Sequence, residues 1–123
     1  MTGHIRYTKL TANKILPDVV RRLHALRRAT TEAAQHQEEA VDKAPTNGGA
    51  DDPNAWASAS NQAAQQLKWF SDAGILVKSL YEGLVDFPAE MDGKQILLCW
   101  KEGEHEVAFW HTLEDGYPGR RPL

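Results

Sequence analysis

The sequence lacks the features that define several large classes of protein. It holds a single cysteine, Cys99, so no disulfide forms within the chain and a cysteine-rich zinc module is excluded. It contains no run of about 18 apolar residues, the length that a transmembrane helix needs. Its first residues carry no apolar core of a signal peptide. We therefore expect a cytoplasmic protein that does not enter a membrane.

Short catalytic motifs are also missing. The chain has no glycine-rich phosphate loop, no G-x-S-x-G elbow, no C-x-x-C pair and no H-E-x-x-H sequence. Its 123 residues fit one domain, which we predict to span residues 1–123. The sequence thus indicates a globular chain without naming a reaction, and it leaves open whether the protein is an enzyme.

Charge is distributed unevenly along the chain. Residues 1–30 carry seven Lys or Arg and one acid, Asp18, although the formal net charge of the whole chain is −3. A basic segment can contact nucleic acid. However, nucleic-acid-binding modules usually add a recognisable motif or interleaved aromatic residues, and this segment has neither. We expect it to pair with the acidic remainder of the chain or to face solvent, rather than to bind nucleic acid.

The first half of the sequence predicts an antiparallel helical hairpin over residues 8–73. Apolar and small residues recur there at alternating spacings of three and four, which is typical of helices that pack along a seam. Thr8 is the predicted N-cap of the first helix, because its hydroxyl can accept a bond from a first-turn amide. Pro17 predicts a kink, or a short separate turn before the main helix.

The two predicted helices are joined by a segment rich in proline and glycine, residues 45–53, which predicts a mobile loop. Asp52 followed by Pro53 is typical of an N-cap and a first helical position. The second helix is predicted over residues 54–73, and Gly74 is its predicted C-terminal stop.

After the helices the pattern becomes that of a sheet. Short segments rich in β-branched and aromatic residues predict three or four antiparallel strands in a meander over residues 75–111. The tail, residues 112–123, is predicted to be irregular. The segments are ILVKS, LVDF, QILLCW and EVAFWH, and the turns between them are Glu82-Gly83, Asp92-Gly93 and Glu102-Gly103. The predicted fold class is therefore α+β, a helical hairpin packed on a small sheet.

Strand periodicity predicts which side chains share a sheet face. A two- or four-residue loop near Glu102 places Cys99 and His111 on opposite faces, so a Cys–His pair is not expected. A two-residue loop at Asp92-Gly93 places Asp86 with Cys99, whereas a three-residue loop brings Asp86 towards His111. The sequence leaves these two registers open.

The C-terminal part of the sequence resembles a known family. Its motifs are VK followed by GLVDFPA, a DG turn, LCW, GE, WH and a closing G-x-x-G-R-x-P-L. They are similar to the signature of the prokaryotic family called domain of unknown function 2203. The segment TKLTANKILP resembles the opening of that family more loosely, because residues 9–11 lack the usual acids. The resemblance implies a prokaryotic protein of a family without an established biochemical function.

The polar residues in these motifs supply the candidate site. Asp86, Glu104 and His111 offer carboxylate and imidazole ligands for a divalent metal, the one cofactor for which the sequence offers candidates. The alternative is a structural hydrogen bond between His111 and a carboxylate.

Four further residues are candidates for ligand binding. Lys78 and Arg120 can form a site for a small anion, although an ion pair between Lys78 and Asp86 is the simpler expectation. Trp100 and Trp110 are predicted to face opposite ways, one in the core and the other on the outer sheet surface.

We expect a non-catalytic binding or interaction protein that forms a homodimer through its helices. The alternative is a metal-assisted hydrolase that uses Asp86, Glu104 and His111. Association with nucleic acid through the basic first segment is a third hypothesis.

Overall fold

The computed structural model describes residues 5–43 and 54–123, which form a helical hairpin followed by an antiparallel sheet. The strands lie side by side in chain order, and each is antiparallel to its neighbours. The predicted α+β class is confirmed. The elements are helices α1 (Lys9–Lys43) and α2 (Ala55–Ala73) and strands β1 (Leu76–Ser79), β2 (Leu84–Met91), β3 (Lys94–Lys101), β4 (Phe109–Thr112) and β5 (Arg121–Pro122).

The described sheet has five strands rather than three or four. The additional strand, β5, comes from the tail that we predicted to be irregular, and it follows a short 3-10 turn at Tyr117–Gly119. Strand β5 contains two residues and pairs with Phe109 and Trp110 of β4. A strand of two residues has no periodicity that a sequence pattern could reveal.

Helix α1 begins with reciprocal hydrogen bonds between two threonines. The Thr11 amide donates to the Thr8 hydroxyl (3.1 Å), and the Thr8 amide donates to the Thr11 hydroxyl (2.8 Å). This is the pattern of a capping box, with a threonine in the position usually held by Glu or Gln. The predicted N-cap is confirmed, and the first turn is capped without the acids that residues 9–11 lack.

Helix α1 continues through Pro17, so the predicted separate turn is wrong. Proline costs the helix one backbone hydrogen bond and crowds the preceding turn. Pro17 is exposed, whereas Leu16 and Val19 beside it are buried in the core. We attribute the continuity of α1 to the burial of these flanking apolar residues.

Helix α2 ends as predicted. Gly74 adopts a left-handed conformation (φ 72°), and its amide donates to carbonyl oxygens of the last turn. Such a conformation favours glycine, which has no Cβ. The Asp52–Pro53 cap and the loop 45–53 lie outside the described residues.

The two helices pack antiparallel against one face of the sheet. The Tyr7 hydroxyl, just before α1, donates to the Ala73 oxygen at the end of α2 (2.6 Å), and Arg22 donates to Gln66 further along both helices (3.2 Å). The helices and the sheet enclose the hydrophobic core, and its strand residues are Val85, Phe87, Ala89, Ile96, Leu98 and Trp100.

None of the helices in the described part of the chain has the length and apolar character needed to cross a bilayer.

Asn13 joins the first helix to the end of the sheet. Its side-chain amide donates to the Val107 oxygen (3.1 Å) and accepts a bond from the Val107 amide (2.7 Å). Val107 is fully buried, and the asparagine side chain satisfies both of its backbone polar groups in the way that a neighbouring strand would.

Candidate metal site

Three polar side chains meet on the sheet face that points away from the helices. Asp86 on β2 lies opposite Cys99 on β3, and His111 on β4 lies opposite Leu97 on β3. Residues at alternate positions of a strand share a face, so Asp86, Cys99 and His111 project to the same side. All three are buried, with exposed fractions of 2 %, 0 % and 3 %.

The prediction that Cys99 and His111 lie on opposite faces is wrong. Cys99 pairs with Phe109, so an odd number of residues separates the two partners, whereas two- and four-residue loops both require an even number. The connection is set by Glu104, whose carboxylate accepts from the Lys101 amide (2.8 Å) and whose carbonyl accepts from the Trp100 indole (3.1 Å). These bonds produce a loop length that strand periodicity does not reveal.

The preceding hairpin resolves the register that the sequence left open. Met91 pairs with Lys94, so Asp92 and Gly93 form a two-residue turn, and both have positive φ (52° and 78°). Such a turn matches the twist of the flanking strands. Asp86 therefore lies on the same face as Cys99. It also reaches His111, because an odd number of residues separates the paired positions of β3 and β4.

The hydrogen bonds of His111 determine where its lone pair points. Its Nδ1 lies 2.7 Å from the backbone oxygen of Thr112, which can only accept, so Nδ1 carries a proton. The second nitrogen, Nε2, lies 3.1 Å from Oδ2 of Asp86. In a neutral imidazole Nε2 then holds a lone pair that faces a carboxylate oxygen. Two acceptors cannot bond to each other, so this contact requires either a proton, on the imidazole or on the carboxyl group, or a metal ion.

The thiol of Cys99 completes the cluster. The potential ligand atoms of Asp86, Cys99 and His111 all lie within 4.8 Å of one another. Burial, reinforced by the charge of Asp86, raises the pKa of the Cys99 thiol to about 12. Both nitrogens of His111 are already engaged, so the imidazole does not activate this thiol as a nucleophile. The second carboxylate oxygen of Asp86, Oδ1, is buried without a hydrogen-bond partner.

Arg120 and Glu104 form a clamp beside the cluster. The guanidinium donates from both terminal nitrogens to the two Glu104 oxygens (3.1 and 2.6 Å), and one of these nitrogens lies 3.8 Å from the Cys99 sulfur. Burial opposes the charge on Glu104, but the bonds from Arg120 and the Lys101 amide lower its pKa overall. The hydrogen bonds to Glu104 also raise the pKa of Arg120, although burial opposes this.

The structure therefore brings together only part of the predicted set. Asp86 and His111 are in contact, but both oxygens of Glu104 bind Arg120. Cys99 occupies the position near the pair that we expected Glu104 to hold. The sequence feature that could have revealed Cys99 as a member of the cluster is the Asp92-Gly93 turn, which at a length of two residues pairs Cys99 with Asp86.

Lys78 does not join this cluster. It is exposed on β1 at an irregular point of the β1–β2 register, and Asp86 pairs with His111 rather than with Lys78. Arg120 precedes β5, which lies at the opposite edge of the sheet from β1. The predicted ion pair and the predicted anion site of Lys78 with Arg120 are therefore absent from the described part of the chain.

The two tryptophans lie on the same face, which corrects the prediction that they face opposite ways. Trp110 pairs with Leu98 on β3, and Trp100 is two residues further along that strand. Trp100 is buried in the core, and Trp110 is partly buried against it. Arg121 covers the Trp110 ring at 5.5 Å. The two tryptophans share a face for the same reason that Cys99 and His111 do: an odd number of residues separates the paired positions of β3 and β4.

The basic first segment contacts acids in the second half of the chain. Arg6 pairs with Glu90 (2.6 Å), and Lys9 lies 3.8 Å from Glu106. Both His24 and Arg27 contact Glu102, at 2.7 and 2.8 Å. These contacts correspond to the expected pairing between the basic segment and the acidic remainder.

A cleft of about 410 Å³ opens between the segment before α1, the end of α2 and strands β1 to β3, and none of the three cluster residues lines it. It is lined in part by Leu76, Pro88 and Leu97. Leu76 is the register partner of Asp86, and Leu97 is the partner of His111. The cleft thus reaches the cross-strand neighbours of Asp86 and His111 but not these two side chains themselves.

The fold and the cluster define a class of protein: a two-layer α+β domain with a carboxylate, a thiol and an imidazole buried together in its sheet. The model of the family DUF2203, described as uncharacterized conserved proteins, matches residues 6–123. The chain belongs to this family, as its C-terminal motifs indicated. No curated protein and no solved structure shows a significant match to the chain.

Proposed function

We propose that this protein binds a divalent transition-metal ion through Asp86, Cys99 and His111. The observation that carries the proposal is the 3.1 Å contact between Nε2 of His111 and Oδ2 of Asp86 beside a thiol, with the potential ligand atoms of all three residues within 4.8 Å of one another. A metal ion satisfies both acceptors and the sulfur at once. Ligating histidines almost always donate their other ring N–H to a carbonyl, carboxylate or water, and the bond from Nδ1 to Thr112 follows this pattern.

The donor set favours zinc. A thiolate, an imidazole and a carboxylate are all common zinc ligands, whereas magnesium and calcium prefer sites made of oxygen atoms. Binding requires the cysteine as thiolate. Three protein ligands leave one coordination position of a tetrahedral ion for water or another ligand.

The direct test is metal analysis of protein purified without a histidine tag. We expect about one zinc per chain after dialysis against zinc, and a rise in melting temperature, because a ligand at 100 times its Kd stabilises the fold by about 2.7 kcal/mol. Cobalt substitution should add a sulfur-to-cobalt absorption band. All three signals, the bound zinc, the rise in melting temperature and the cobalt band, should be lost in Cys99→Ser and His111→Ala. They should be kept in the matched control His105→Ala, which removes an exposed histidine.

The alternative outcome is equally specific. If the untagged protein takes up no metal and its melting temperature does not respond to zinc or cobalt, a proton occupies the contact between His111 and Asp86. The cluster then stabilises the sheet and has no role in metal binding.

A metal-assisted hydrolase is the second candidate function, because two residues that line the cleft, Leu76 and Leu97, are the strand partners of the proposed ligands Asp86 and His111. The coordination position left open by three protein ligands is the arrangement of catalytic zinc sites. In this version Cys99 replaces Glu104 among the ligands that we expected from the sequence. Zinc-loaded protein should then cleave activated esters faster than metal-free protein, and His111→Ala should remove the difference. Equal rates with and without zinc would exclude this candidate.

A further inference from the structure

Arg120 touches the sulfur of the candidate site from outside the three ligands. It lies one residue before β5, and the pairing of β5 with β4 places its guanidinium over the Phe109 ring at 4.1 Å. Phe109 is the register partner of Cys99. One terminal nitrogen of Arg120 therefore reaches the Cys99 sulfur, at 3.8 Å.

The guanidinium is held in one orientation. Two bonds to Glu104 fix its plane, and the Tyr117 ring lies 4.5 Å from it in addition to the Phe109 ring. A bidentate contact of this kind sets direction as well as distance. Because Glu104 balances the charge of Arg120, the pair presents an N–H to the sulfur without adding net charge to the interior.

We infer that Arg120 is a positioning residue for Cys99. Arg120 donates a hydrogen bond to the metal-bound sulfur of Cys99 and thereby sets the affinity of the site for metal. This inference rests on the proposed metal site. Outer groups that bond to metal ligands typically change metal affinity 10–100-fold. A donor to the sulfur also withdraws electron density from it, which alters the spectrum of the metal–sulfur bond.

The test compares cobalt-loaded wild type with Arg120→Met, which keeps the chain length but removes the donor. We expect the dissociation constant for cobalt, measured by competition with a chelator, to rise about 10–100-fold. The sulfur-to-cobalt band should move to longer wavelength, because a more electron-rich sulfur gives up an electron more easily. A role confined to fold stability would lower the melting temperature without moving this band.

Two further variants keep the test decisive. Glu104→Gln weakens the clamp and should shift the band in the same direction by a smaller amount, so it replaces Arg120→Met if that variant does not fold. Arg121→Met is the matched control, because Arg121 lies over Trp110 on the other face of the sheet. It should leave affinity and band unchanged.

The outcomes separate the two proposals. If wild-type protein binds no cobalt, both the metal site and the role of Arg120 are overturned. If wild type binds cobalt, but folded Arg120→Met and Glu104→Gln show the wild-type affinity and band, only the role of Arg120 is overturned.

Discussion

Asn13 shows how one side chain can replace part of a strand. It satisfies both backbone polar groups of Val107, and it also donates to the Lys9 oxygen in its own helix. The sequence contains an asparagine in the family-like opening segment, but helical periodicity assigns no partner to it. Only the folded chain shows that its amide is used across a separation of 94 residues.

Replacement of Asn13 should destabilise the protein measurably. Asn13→Ala leaves the buried N–H and C=O of Val107 without partners, and each such group costs about 1–3 kcal/mol. We expect the free energy of unfolding, measured with urea, to fall by about 2 kcal/mol or more. The control is Asn61→Ala, at an exposed position of α2, which should change it by less than about 0.5 kcal/mol. Equal effects of the two variants would contradict this account.

Glu102 provides a pH-dependent contact between the first helix and the sheet. Hydrogen bonds from Arg27 and then His24 lower the pKa of the Glu102 carboxyl from its usual value of 4.5, against the opposing effect of burial. A carboxyl group whose pKa is lowered in the folded state stabilises the fold at pH values above the pKa that it has in the unfolded chain. This contribution is lost as the pH falls from about 4.5 through the folded pKa.

Glu102→Gln should therefore show a weaker loss of stability in acid than the wild type. We expect the difference in melting temperature between the two proteins to be largest at neutral pH and to shrink below about pH 4.5, because the wild-type contribution disappears there. Glu82→Gln is the control, since Glu82 is exposed and its contact with Lys101 is long, at 3.9 Å. A melting difference that stays constant from pH 7 to pH 3 would contradict the prediction.

At the scale of elements, the turns decided which side chains share a face. The position of the Asp92-Gly93 turn was predictable because its residue types favour positive φ. Its length was not, so the sequence left the register of β2 and β3 open, and the two-residue turn of the structure fixes it. The β3–β4 connection was not predictable, since Glu104 sets its length through bonds to Trp100 and Lys101. One unrecognised odd connection was enough to misplace both His111 and Trp110.

Gly83 and Gly93 both lie in turns and differ in how closely they are packed, so their substitution distinguishes backbone strain from steric overlap. Gly83 and Gly93 both have positive φ (70° and 78°), but a Cβ on Gly83 would lie 2.4 Å from the Cβ of Glu102, whereas a Cβ on Gly93 would meet nothing within 4 Å. Gly93→Ala should cost about 1 kcal/mol for the left-handed conformation.

Gly83→Ala should cost about 1–3 kcal/mol more, because Glu102 must move to admit the new methyl group. That movement also disturbs the contacts of Glu102 with His24 and Arg27. Urea unfolding of the two variants measures the comparison directly. If Gly83→Ala and Gly93→Ala lose the same amount of stability, the close approach to Glu102 has no energetic consequence.

For the whole molecule, the sequence predicted more of the architecture than of the site. The seams of both helices, the Gly74 stop and the antiparallel meander each follow from local patterns that repeat over many residues. The cluster depends on the relative register of three strands, and no local pattern reports that. The same holds for β5 and Arg120, which find their places only through contacts with β4 and Glu104.

Homodimerisation through the helices stays a prediction. Trp56 and Leu67 lie about three turns apart on α2, hence on one side of the helix, with exposed fractions of 47 % and 52 %. A second copy of the chain would remove both from water.

Light scattering at tens of micromolar protein should give twice the chain mass of 13.7 kDa. Leu67→Glu should reduce it to that of one chain, because the new charge would be buried in the interface. Leu113→Glu, which charges an exposed leucine after β4, should leave the dimer intact. A wild-type mass of one chain would show that the helical face is not a dimer interface.

The bonds between Asn13 and Val107 also bear on the order of events during folding. The helical hairpin and the strand meander are each built from neighbours in the chain, so each can assemble through the closure of short loops. Tyr7 with Pro88, and Asn13 with Val107, join the two halves across more than 80 residues. Such distant contacts form late, after local structure has brought their partners near. We therefore expect the docking of two assembled halves, rather than the formation of either one, to limit the rate of folding.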